Sequence, residues 1–132
     1  MNWFFLHVGF MLTAAGFLMI GVTVAMTLRR NRWWLKIHRR AGIGGAGLMA
    51  SGFLAAVLMI SLSGRPHFGN PHTWLGGLTL AAAFSTLTLG FLQFRLPAYG
   101  GTIRWIHRMS GRLTVILAIV TISFGLILVG FL

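Results

Sequence analysis

The stretch Ile103-Arg104-Trp105-Ile106-His107-Arg108-Met109-Ser110-Gly111 opens the last apolar segment of the chain. One face of that segment, stepped at helical spacing, reads His107, Gly111, Thr114, Ala118, Thr121, Gly125. The same steps from His72 read His72, Gly76, Thr79, Ala83, Thr86, Gly90, and the residue types agree at all six positions. On an α-helix these offsets share one side. Each segment therefore presents a histidine at its N-terminal end and a stripe of small residues below it. Such a stripe lets a flat, bulky group or another helix come close to the backbone. Two earlier segments follow the scheme less strictly: His38, Gly42, Gly45, Met49, Gly52, Ala56, and His7, Met11, Ala14, Leu18, Gly21, Ala25.

The chain has 132 residues, 57% of them hydrophobic and 8% charged, with no Asp or Glu. Soluble domains carry about a quarter charged residues. So much apolar surface with so few charges requires a membrane. The length suits one membrane domain of four spans, about residues 3–28, 34–62, 72–96 and 103–132. The expected fold is all-α, a four-helix transmembrane bundle. Without cysteine there is no disulfide, thiolate ligand, iron–sulfur cluster or covalent haem attachment. The net charge of +11 follows from membrane topology, so lipid is the expected partner and nucleic acid is not. The first segment lacks a basic start and a small-residue cleavage site, and is read as a span, not a signal peptide.

Three loops join the spans. Arg29, Arg30, Arg32, Lys36, Arg39 and Arg40 flank the first, and Arg95, Arg104, Arg108 and Arg112 flank the third. Only Arg65 lies in the second. The positive-inside rule then places loops 1 and 3 in the cytoplasm, with both termini and loop 2 outside. In the second loop, Asn70 and Pro71 read as an N-cap and first helical residue. Orientation sorts the histidines: His7 and His72 lie near the outer surface, His38 and His107 near the cytoplasmic one. Ile37-His38-Arg39-Arg40-Ala41-Gly42 and Ile106-His107-Arg108-Met109-Ser110-Gly111 share the pattern I-H-R-x-x-G. The chain thus reads as two copies of one helical hairpin. At ~1.5 Å of rise per residue, His7 lies roughly 31 Å from the inner end of its segment and His38 about 6 Å from it. The two levels are on the order of 25 Å apart, so no single ligand can span them.

Ionisable groups in spans point to function. Zinc wants four protein ligands, or three and water, completed by Cys or carboxylate, and fits two histidines per level poorly. Haem iron wants two axial ligands on opposite faces of a flat ring, and fits both the count and the small residues at Gly42, Gly76 and Gly111. Haem also brings its own carboxylates, for which Arg39, Arg40, Arg108 and Arg112 are cations inside, and Arg65 and the N-terminal amine outside.

The histidine-bearing helices and the H-R-x-x-G after each inner histidine resemble the four-helix core of the cytochrome b561 family, transmembrane electron carriers with two b haems. The resemblance covers nearly the whole chain. It implies His7 with His72 as ligands of an outer haem, and His38 with His107 as ligands of an inner one. The longer members have six spans where this chain has four, and no ascorbate-binding pattern is placed on this sequence. Similar bundles occur as cytochrome b subunits of bacterial respiratory complexes, so the expected place is a bacterial inner membrane. The expected function is electron transfer across the membrane, as a carrier or an oxidoreductase subunit, alone or in a homo- or hetero-oligomer. The expected exchange is with a quinone pool or a redox partner protein. The alternative is a haem-free assembly subunit packing through its small-residue seams. His67, five residues before His72, stays open as a rival ligand. His72 is preferred because it heads the stripe that matches His107.

Overall fold

The structure is a computed structural model that describes residues 2–132. Four helices, α1 Trp3–Thr27, α2 Trp34–Ser63, α3 Pro71–Arg95 and α4 Gly100–Leu128, follow one another, with a single 3-10 turn at Pro97–Tyr99. All four are long and apolar enough to cross a membrane. Local chemistry sets their ends. The Asn70 side chain accepts a hydrogen bond from the Thr73 amide at 3.1 Å, and Pro71 occupies the first helical position. Gly64, with φ 65°, closes α2 in the left-handed conformation that other residues resist.

The last helix differs from the expected 103–132 at both ends. It begins at Gly100, because the Pro97–Tyr99 turn runs straight into it and the Arg104 Nε donates to the Gly100 carbonyl at 3.0 Å. It stops at Leu128, where Gly130 takes φ 78°. There the Phe131 amide bonds the Leu126 carbonyl at 2.9 Å and the Gly130 amide bonds that of Ile127 at 3.1 Å. These two bonds are a Schellman cap.

Helices α1 and α2 pack closely along their length, as do α3 and α4. The two hairpins meet more lightly, through α2–α3 and α1–α4, and the diagonal pairs α1–α3 and α2–α4 have no close backbone approach. The stripe offsets alternate four and three, which is the seam spacing of helices packed in a left-handed bundle. The seam works because its side chains are small. A Cβ on Gly45 would lie 3.0 Å from Leu18 Cδ2, and one on Gly21 would lie 3.4 Å from the Ala41 Cβ.

The interior is accordingly lined by alanine and glycine, with a central cluster of Ala14, Met49 and Ala83. Large apolar side chains such as Phe5, Leu62, Trp74 and Phe131 point outward. That inversion of a water-soluble core suits lipid, where helix association rests on close packing and not on hiding bulky side chains. The fold is the all-α four-helix bundle expected from the sequence.

Candidate functional site

The four stripe histidines meet in two pairs across the bundle diagonals. The rings of His7 (α1) and His72 (α3) have centroids 6.0 Å apart and planes at 85°. Those of His38 (α2) and His107 (α4) are 5.8 Å apart, also at 85°. Each ring is anchored through Nδ1 to a backbone carbonyl of its hairpin partner. His7 bonds Gly52 at 2.9 Å, His38 bonds Gly21 at 2.8 Å, His72 bonds Thr121 at 3.0 Å and His107 bonds Thr86 at 2.9 Å. A carbonyl can only accept, so Nδ1 carries the proton in every case. A neutral ring then has its lone pair on Nε2, the atom turned away from the anchor. Anchoring of this kind fixes the tautomer and ring orientation of a metal-binding histidine and raises its basicity.

The acceptors are regular. Gly21 is the fourteenth residue after His7, Gly52 after His38, Thr86 after His72 and Thr121 after His107. Each helix therefore supplies a histidine at one level and, about 21 Å along its axis, the carbonyl that fixes its neighbour's histidine at the other. This reciprocity makes each hairpin nearly two-fold symmetric. It also puts the levels slightly closer together than the helix lengths in the sequence suggest.

Small residues wall both pairs. A cavity at the His38–His107 level is bordered by Gly42, Gly111, Gly90, Thr86 and Thr114. Gly111 needs its smallness only mildly, since a Cβ there would sit 3.6 Å from Thr86 Cγ2, and one on Gly76 would sit 4.0 Å from Thr121 Cγ2. Two other glycines are tighter. A Cβ on Gly90 would fall 3.1 Å from His107 Cε1, and one on Gly125 would fall 2.9 Å from His72 Cε1. Both belong to the small-residue stripes but were not expected in the site. Their shared offset of eighteen residues from His72 and His107 was the available signal. The α3–α4 seam also holds two hydroxyl contacts, Thr79–Thr121 at 2.9 Å and Thr86–Thr114 at 3.1 Å. Such bonds satisfy hydroxyls away from water.

The basic residues separate. Arg39 borders the His38–His107 cavity, with its guanidinium 5.6 Å from the centre of the Phe91 ring. Arg108 and Arg112, offered by the sequence for the same level, instead border a different recess with Arg29. The direction of a long side chain depends on which helix flanks it, and the face of α4 carrying these arginines turns toward the end of α1. His67 lies exposed between α2 and α3, 3.3 Å from the Ser61 hydroxyl, while His72 is the histidine that faces His7. Met11 packs on the central cluster. The N-terminal amine belongs to Met1, outside the described residues.

Among the described residues, no three or more His, Cys, Asp or Glu side chains converge as a metal-binding group. Each level instead offers two opposed imidazoles. Two imidazoles sharing one metal, each at about 2 Å, have ring centroids roughly 6 Å apart, close to the separations of both pairs. The donor set therefore fits a metal that takes two nitrogens on opposite sides and its other ligands from a flat ring. A family model described as "Eukaryotic cytochrome b561" matches residues 2–131. No curated protein and no solved structure matches the chain.

Proposed function

Since this chain belongs to the cytochrome b561 family, membrane proteins of cytochrome b electron transfer, we propose that it holds two b haems, by His7 with His72 and by His38 with His107. The observation that carries this reading is the pair of facing, perpendicular imidazole couples whose Nδ1 protons are committed to backbone carbonyls. Haem b supplies a one-electron iron couple when bound. The chain's own residues do the rest. Four carbonyls orient the ligands, glycines leave room beside them, and the Arg39 guanidinium lies where a carboxylate at the cavity mouth would need a counter-charge. The packed layer of Ala14, Met49 and Ala83 keeps water out between the two levels.

On this reading the protein moves electrons from one membrane face to the other, exchanging them with a quinol pool or a redox partner. Purified protein from haem-replete cells should be red, with a low-spin b-type spectrum and about two haems per chain. A colourless preparation would overturn the proposal and favour a haem-free packing subunit.

Sidedness follows from charge. Ten of the eleven basic residues flank loops 1 and 3, so these loops face the cytoplasm. His38–His107 is then the inner pair and His7–His72 the outer. A reporter fused after Leu132 is expected to be active only outside the cytoplasm. Cytoplasmic activity would exchange the two assignments.

A further inference from the structure

A recess lies on the outside of the bundle, where the end of α1 meets the first turns of α4. Met26 at the end of α1, Arg29 in the turn that follows it, and Trp105, Arg108, Met109 and Arg112 from α4 border this recess. None of these six residues borders the cavity between His38 and His107. Three arginines from two segments distant in sequence, loop 1 and α4, thus border one recess. The chain has no Asp or Glu, so no side chain of its own can neutralise them. Arg29 is also held in position, its Nε bonded to the Ala25 carbonyl and its guanidinium 5.8 Å from the centre of the Trp34 ring. A fixed guanidinium loses less freedom on meeting an anion than a waving one. Met26, Trp105 and Met109 supply apolar wall around the charges, and the recess lies beside the C-terminal end of α1 and the first turns of α4, the end of the bundle that carries the basic loops.

We propose that this recess binds the phosphate headgroup of an anionic phospholipid from the surrounding bilayer. Guanidinium groups match phosphate oxygens in charge and bidentate geometry. Basic pockets between spans at a membrane surface attract such headgroups, and the apolar wall suits the glycerol and first acyl carbons. The recess shares no lining residue with the cavity between His38 and His107.

The test uses the full-length protein in a neutral detergent. Retention of phosphatidylglycerol is measured by native mass spectrometry, and thermal protection by added phosphatidylglycerol, phosphatidylcholine or inorganic phosphate is measured alongside. The wild type should retain phosphatidylglycerol and be protected by it, but not by phosphatidylcholine or inorganic phosphate. Each of Arg29→Gln, Arg108→Gln and Arg112→Gln should weaken retention roughly fivefold. The control pair Arg30→Gln with Arg40→Gln, outside the recess, should leave retention unchanged. The single variants keep the test decisive if a triple variant fails to fold. Equal loss in the control pair would overturn the proposal in favour of diffuse surface charge. Protection by inorganic phosphate alone would overturn it in favour of a soluble anion. Loss of one haem spectrum with lipid retention intact would return Arg108 and Arg112 to the haem site.

Discussion

His7→Ala combined with His107→Ala should yield a folded membrane protein with no bound haem. On the proposed ligation each substitution removes one ring nitrogen from a different pair, and the two levels are about 21 Å apart along the helices, so the surviving His38 and His72 could not share one iron. His107→Ala alone should remove about one haem and leave the other's spectrum near wild type. Adding His38→Ala to His107→Ala should then cost no further haem, because both belong to one pair, with rings 5.8 Å apart. Haem-to-protein ratio and the low-spin spectrum read the outcome. Loss of two different haems by the His38 and His107 single variants would break the pairing. The bundle itself should survive, because each histidine makes one anchoring bond and the helices are held mainly by their small-residue seams.

Gly125→Ala should disturb the haem of His72 far more than the size of a methyl group suggests. The new Cβ would lie 2.9 Å from His72 Cε1 and 3.2 Å from its Nδ1, against an aromatic ring that cannot bend away. Something there must shift, and a turn of the ring would strain its 3.0 Å bond to the Thr121 carbonyl, one helical turn before Gly125. Overpacking of this kind costs about 1–3 kcal/mol. The loss falls on ligand orientation, so the expected signature is a partly high-spin or missing spectrum for that haem alone. Gly90→Ala should do the same, less severely, to the haem of His107, where the approach is 3.1 Å. Gly47→Ala is the control, since a Cβ there meets nothing within 4 Å. Unchanged spectra in Gly125→Ala, or equal damage from Gly47→Ala, would show that these glycines do not position the rings.

The information legible along the chain is one-dimensional. Four apolar runs long enough to span, with basic residues gathered at two loops, specify four crossings before any contact is known. The histidine at the head of each stripe is equally legible, because helical spacing puts His72, Gly76 and Thr79 on one side whatever surrounds them. Asn70-Pro71 marked the start of α3 by its own local chemistry. Three things depended on neighbouring helices. The acceptors for the histidine Nδ1 protons are main-chain carbonyls, which every residue has, so nothing in the letters at Gly21, Gly52, Thr86 and Thr121 announces the role. Gly90 and Gly125 share an offset from the histidine of their own helix, but only the packing sets the opposing ring 3.1 Å and 2.9 Å from where their Cβ atoms would lie. Arg39 faces the cavity while Arg108 and Arg112 turn to the α1–α4 seam, because a long side chain is directed by the helix packed beside its face, and helix packing is a property of the folded bundle alone.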